Sequence, residues 1–354
     1  MRYNAALSLI YKIASVTDNF SLKSHNTFGL EHKCRALMNA KTTEELCSIC
    51  IELYASNQPM LILGGGSNII LCDDFAGTVV VVETKGIEVS STESYHLLSV
   101  EAGEDWHELV CFCLSQGIAG FENLALIPGK VGAAPIQNIG AYGVEIKDIC
   151  EWVEYCDLST GKHIRLSANE CNFSYRESIF KQQLLGRALI TKVGFKVPKI
   201  WQPKLDYGPL RALKDPAVTP KDVFECICAT RMSKLPDPAK VGNAGSFFKN
   251  PVISNELYLS LTTKFPNIVG YPQDAGKTKV AAGWLIEAAG LKGFQVGGAA
   301  VHADQALVLI NKNSATSEDV LNLARHVVDC IDKQFGIRLQ PEPRMIAATG
   351  ERSL

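Results

Sequence analysis

The chain lacks a charge excess of either sign: 35 Lys and Arg against 37 Asp and Glu leave a formal net charge of -2. Without a basic field to neutralise a phosphodiester backbone, a nucleic-acid partner is not expected. The sequence also lacks an apolar stretch of about 20 residues, the length that spans a bilayer. The short apolar run from Ala5 to Tyr11 is broken by Lys12 and followed by no clear small-residue cleavage site, so it does not read as a signal peptide. Cysteine is plentiful, with 12 residues, but forms no compact, evenly spaced framework. Many lie on apolar periodic segments, as in Cys111-Phe-Cys113 and Cys226-Ile-Cys228, and they read as reduced, buried thiols of a cytoplasmic protein.

Several signatures of known chemistry are missing too. No G-x-G-x-x-G follows a strand and opens a helix, which excludes a Rossmann site. Five residues separate Gly270 from Gly276 where a Walker A loop has four, and Pro272 stiffens the segment. No Gly-x-Ser-x-Gly elbow occurs, which argues against hydrolase-type attack. Cys47-Ser-Ile-Cys50 has no second pair at zinc-site spacing and falls on an amphipathic helix, so it reads as core packing and no metal site is expected.

What is present is a long chain, 354 residues and 47% hydrophobic, with material for two or three domains. A capped helix starting near Thr42 leads to the strand Met60 to Leu63, a glycine turn, a strand Ile69 to Leu71 and a strand Val79 to Val82. A second region, 84–235, mixes alternating strands with a helix from Trp106 that stops at Gly117, and has a hairpin signal at Ser159-Thr-Gly161. A third holds a helix around Trp284 to Ala289, a strand Ala306 to Ile310 and a final amphipathic helix, Val320 to Ile331, ended by Gly336. The fold class is α+β.

Two glycine clusters are candidates for phosphate binding. In Gly64, Gly65, Gly66, Ser67 and Asn68, three residues without Cβ let backbone N–H groups converge on an anion, and two side chains add donors. From Ile127, Pro128 and Gly129 the chain stays small through Gly132, Ala133, Gly140, Ala141 and Gly143, as close approach to a planar cofactor requires. Ser246, in Gly242-Asn-Ala-Gly-Ser-Phe-Phe-Lys-Asn-Pro251, has small residues before it and two aromatic anchors after it. That segment reads either as a turn entering a strand or as a proton donor facing a stacked ligand, and no histidine adjoins it to make a nucleophile.

These segments, with Ser24-His-Asn-Thr-Phe-Gly29, Pro135-Ile-Gln-Asn-Ile-Gly-Ala-Tyr-Gly143, Ser174-Tyr-Arg-Glu-Ser178, Arg231-Met-Ser-Lys-Leu-Pro236 and His302-Ala-Asp-Gln-Ala306, run in order across most of the chain. Together they resemble the UDP-N-acetylenolpyruvoylglucosamine reductase family. The resemblance implies a cytoplasmic, monomeric flavoenzyme of peptidoglycan precursor synthesis. It implies a two-part FAD-binding module of the vanillyl-alcohol-oxidase-like, PCMH type, at 21–83 with 337–354 packing back and at 84–235. A C-terminal substrate-binding domain would occupy 236–336, and residues 1–20 would be an extension or a misassigned start.

The implied reaction uses FAD, held non-covalently, and NADPH to reduce UDP-N-acetylglucosamine-enolpyruvate to UDP-N-acetylmuramate. Ser246 matches the family's proton donor, and Arg176 and Glu342 match its enolate-stabilising pair; Lys234 is a candidate helper for the serine. Gln137, Asn138 and Tyr142 fall within the implied flavin loop. Tyr207, Lys234, Asn250, Tyr271, Lys279 and Gln305 match substrate positions, with Tyr271 on a loop of the longer subgroup that folds over the substrate. Pro343, between Glu342 and Arg344, stiffens the backbone after the glutamate. Another flavoenzyme on the same module, or a non-catalytic nucleotide-sugar binder, are the competing readings.

Overall fold

Capping residues start the helices where the sequence marks them. Thr42 accepts from the Glu45 N–H ahead of helix Thr43–Ala55, and Asp105 accepts from His107 and Glu108 ahead of Trp106–Ser115. Thr316 and Asp319 form a reciprocal capping box for Ser317–Phe335, which Gly336 ends in the left-handed conformation. The computed structural model describes residues 19–354. The expected N-terminal extension lies, through residue 18, outside the described residues.

The described chain divides into two compact units. The first comprises chiefly Cys34–Gly66 and Phe75–Ser233. In it, strands Lys33–Ala40 and Met60–Leu63 flank Phe75–Val82 in parallel, with helix Thr43–Ala55 as the crossover between two of them. Leu46, Ile49, Cys50 and Leu53 bury that helix's inner face in a cluster with Val80 and Val82. A second, antiparallel sheet has the spatial strand order Lys162–Ser167, Cys150–Asp157, Ala188–Pro198, Tyr95–Glu101 and Ile87–Ser91. Trp106, Phe121 and Phe195 pack ring to ring in its core.

The second unit comprises Ser21–Lys33, Ser67–Asp74 and Lys234–Leu354. Strand Ile69–Leu71 runs parallel to Arg344–Ala347, which draws a short central segment and the chain end into one body. The grouping by contact therefore cuts the chain differently from boundaries set at 83, 235 and 336. The long helix Ser317–Phe335 buries Val320, Leu323, Ala324, Val327 and Ile331 against this unit's core, and Ser317 Oγ donates to the Leu71 carbonyl at 2.6 Å.

Two details depart from the sequence reading. The expected strand from Ala306 begins two residues later, at Val308–Asn311, because the Val308 N–H is first taken by the Gln305 carbonyl in a turn. All 12 thiols are free as expected, but Cys111, Cys226, Cys228 and Cys330 are only partly buried. Their helices pack one face inward and leave these positions at its margin.

Candidate active site

The second unit holds Ser246 on the strand Gly242–Ser246. Asn243, almost fully buried, fixes the approach: its amide donates to the carbonyls of Pro236 and Val241, each at 2.9 Å, and its Oδ1 accepts from the Gly245 N–H. Gly245 sits at φ +69°, and pairing with Val308–Asn311 slips register between Asn243 and Ser246. Such a bulge re-aims the following side chain. Beyond it, Phe247 and Phe248 are buried edge to face with centroids 5.1 Å apart. Ser246 is thereby left exposed on a backbone anchored on both sides.

Glu342 is brought to the same strand. Its N–H donates to the Phe247 carbonyl at 2.8 Å, Phe248 bridges Pro341, and the Lys249 N–H reaches the Gln340 carbonyl at 2.9 Å. On its other side the Asn68 amide reaches the Glu342 carbonyl at 3.5 Å, and the Arg344 N–H donates to the Asn68 carbonyl at 3.0 Å. Buried Pro343 stiffens the intervening turn. Ser67 and Asn68 belong to this unit, whereas Gly64, Gly65 and Gly66 belong to the other.

Five expected substrate residues also fall in the second unit. Tyr271 and Lys279 are direct cross-strand partners in a hairpin, Gly270–Gln273 with Lys277–Val280, to which Val252–Ser254 adds a third strand. The expected tyrosine loop is thus a small sheet presenting an exposed tyrosine. Asn250 Oδ1 accepts from the Ala282 N–H at 2.9 Å, at the start of helix Ala282–Ala288. Gln305 Oε1 lies 3.9 Å from where a Cβ on Gly283 would stand, so both amides reach the same helix end. Lys234 is the exposed last residue of helix Pro220–Lys234.

The first unit carries the glycine clusters and Arg176. A Cβ on Gly65 would lie 3.2 Å from the Gly129 Cα, so the two loops meet backbone to backbone. The chain between Ile127 and Gly143 winds through the short helix Val131–Ala133, which contains Gly132, and turns back between the two-residue strands Gly140–Ala141 and Val144–Glu145. Fully buried Asn138 holds it: its amide donates to Glu145 Oε2 at 2.9 Å and the Ser174 carbonyl at 3.0 Å, and its Oδ1 accepts from Lys147. Ser178 Oγ donates to the Ile136 carbonyl, next to Gln137, at 2.6 Å. Arg176 itself adopts φ +57°, a strained turn conformation, and its guanidinium donates to the Gly140 carbonyl at 3.3 Å.

Tyr142, at the end of the loop, meets the Tyr207 ring edge to face at 6.0 Å. Asn123 ties the Tyr142 carbonyl to that of Lys204, three residues before Tyr207. Burial pushes the Tyr142 phenol up, opposed by the nearby Arg231 guanidinium, which burial itself pushes down. Arg231 Nε is buried and finds no hydrogen-bond partner among the described residues. A buried guanidinium whose Nε has no protein acceptor among the described residues, beside a loop that presents mainly small residues, suits an anionic group. The residues present therefore fit FAD. Arg231 stood in a quoted motif without a role, and nothing in its sequence neighbourhood indicated that a loop some 90 residues earlier would pack over it.

Comparison with known proteins agrees on one family. Residues 237–346 match the family described as UDP-N-acetylenolpyruvoylglucosamine reductase, C-terminal domain, and residues 34–167 match an FAD binding domain. The reductase of that name from Shewanella oneidensis is 59% identical over 335 residues, 95% of this chain and 98% of the relative. That from Shigella dysenteriae is 50% identical over the same coverage. A crystal structure of the Thermus caldophilus enzyme shares the fold, with a TM-score of 0.62 over 93% of this chain and 98% of that one, at 24% identity.

Proposed function

The chain belongs to the UDP-N-acetylenolpyruvoylglucosamine reductase family of FAD-dependent oxidoreductases, and on that premise we propose how its residues divide the reduction of the enolpyruvyl nucleotide to UDP-N-acetylmuramate. When bound, FAD supplies hydride from N5 to C3 of the enolpyruvyl group, after reduction by NADPH. This leaves negative charge at C2 beside a carboxylate, and the protein's own groups must hold that charge and deliver a proton.

Ser246 delivers the proton to C2. A serine hydroxyl is a weak acid and needs a strongly basic carbon as acceptor. Arg176 holds the substrate carboxylate and the developing enolate with a planar guanidinium. Glu342 acts in its protonated form, donating a hydrogen bond where a bare carboxylate would repel the enolate. The Glu342 N–H bonded to the Phe247 carbonyl carries this reading, because it anchors the acid's backbone beside the serine strand. Lys234 assists Ser246. Tyr207, Asn250, Tyr271, Lys279 and Gln305 bind the uridine diphosphate sugar, with Lys279 at the diphosphate.

Gly64 to Asn68, Ile127 to Gly129, Gly132, Ala133, Gln137 and Gly140 to Gly143 would line the flavin, with buried Asn138 holding their loop from behind, and Arg231 would add positive charge. The same reading makes 84–235 the second part of a PCMH-type module and 236–336 the substrate domain, in a cytoplasmic monomer. The test is purified protein: a yellow spectrum, release of FAD on denaturation, and NADPH oxidation dependent on the enolpyruvyl nucleotide. A colourless protein would point to a nucleotide-sugar binder. Flavin that is reoxidised only by oxygen would point to a different oxidase on this module.

A further inference from the structure

Cys47 and Cys50 lie three residues apart on one face of helix Thr43–Ala55, and both are buried. The fold adds two residues that the local pattern lacks. Cys156, on strand Cys150–Asp157, is fully buried, and His163 is its direct partner across the neighbouring strand Lys162–Ser167. Cross-strand partners project to the same face of a sheet, here toward the helix. Cys47 Sγ stands 3.8 Å from His163 Nε2, and the ligating atoms of Cys47, Cys156 and His163 all lie within 4.8 Å of one another.

We propose that Cys47, Cys156 and His163 bind one Zn2+, with Cys50 or water in the fourth position. Zinc takes thiolate sulfur at about 2.3 Å in a tetrahedron, which sets neighbouring ligand atoms about 3.8 Å apart. The observed spacing reaches that arrangement with side-chain adjustment alone. Two thiols and an imidazole are a soft donor set that selects such a cation over Mg2+ or Ca2+. Glu44 contributes negative charge near Cys47, which favours a cation, whereas the charge of Asp157 beside Cys156 is already paired with Arg187. His163 is exposed while the sulfurs are buried, so the ion enters from solvent through the imidazole. Binding would cross-link the helix to two consecutive strands that lie about 100 residues further along the chain, and so stabilise the first unit.

The experiment uses the reduced, FAD-loaded full chain with a chromophoric chelator as competitor for Zn2+, and Co2+ as a spectroscopic probe. One equivalent should bind, Co2+ should show a sulfur-to-metal charge-transfer band, and Zn2+ should raise Tm. Cys47→Ala should weaken binding about 100-fold and His163→Gln about 10-fold or more. Binding unaltered in both variants would assign the ion to the partly exposed Cys111, Cys226, Cys228 or Cys330 and overturn the proposal. So would the absence of a stoichiometric complex or of the cobalt band. Should Cys47→Ala not fold, His163→Gln decides alone, since its side chain is exposed on an edge strand.

Discussion

Glu342 donates its backbone N–H to the carbonyl of Phe247, at 2.8 Å, and Phe247 directly follows Ser246 in the chain. Two residues 96 positions apart are thus held on adjoining backbone. A serine acting as acid needs this kind of support, because its hydroxyl must face the reacting carbon without rearrangement. Replacing Ser246 with Ala should leave NADPH reduction of the flavin intact and slow reoxidation by the enolpyruvyl nucleotide about 100- to 10,000-fold. Stopped-flow absorbance of the flavin separates the two half-reactions, and normal reoxidation would remove Ser246 from the mechanism.

The bulge before Ser246 has its own test. Gly245 is at φ +69° with no atom within 4 Å of where a Cβ would stand, so Ala there brings backbone strain without a clash. Gly245→Ala should cost about 1–2 kcal/mol of stability, read as a fall in Tm, and should slow the second half-reaction more than the first.

Backbone contact between the two glycine loops predicts weaker cofactor binding on small enlargement. In Gly65→Ala the new methyl would press on the Gly129 Cα at 3.2 Å, forcing the loops apart by a few tenths of an ångström. FAD affinity should fall about 10-fold, equivalent to about 1.4 kcal/mol, measured by fluorescence of released flavin. Unchanged retention of FAD would place the flavin elsewhere.

The pairing of Tyr271 with Lys279 predicts a substrate effect without a flavin effect. Tyr271→Ala should raise the KM for the enolpyruvyl nucleotide by about 10-fold or more, the worth of one aromatic contact, while the rate of NADPH reduction stays at the wild-type value. Steady-state kinetics with the substrate varied would show a split of this kind.

Acid sensitivity should arise from Asp157. Its buried carboxylate accepts from Arg187 Nε at 3.1 Å and from Ser159, and the Arg187 guanidinium, followed by the Ser159 hydroxyl, holds its pKa well below the usual carboxylate range. A folded pKa below the unfolded one means stability that is present above about pH 4 and lost as pH falls further. Asp157→Asn should lower stability by about 2 kcal/mol at pH 7, with the gap to wild type narrowing in denaturant melts below about pH 4. A gap that stays constant across that range would show that the charge does not matter.

Much of this protein was legible along the chain. The helix start at Thr42 follows from a side chain that accepts the N–H three residues on, and the stop at Gly336 from a residue tolerant of positive φ. Ordered motifs around Ser246, Arg176 and Glu342 pointed to one family, and the α+β class followed from alternating periodicities. These are local properties, set by spacing and by each residue's own backbone preferences.

Long-range partners were decided only by the tertiary structure. Nothing near Arg231 shows that its Nε is buried without an acceptor, and nothing near Cys47 shows that Cys156 and His163 face it. The placement of Ile69–Leu71 beside Arg344–Ala347 is equally invisible, since either strand reads as apolar on its own. Capping and periodicity act within a few residues, whereas a site is made where sheet register and helix packing bring distant side chains to one point.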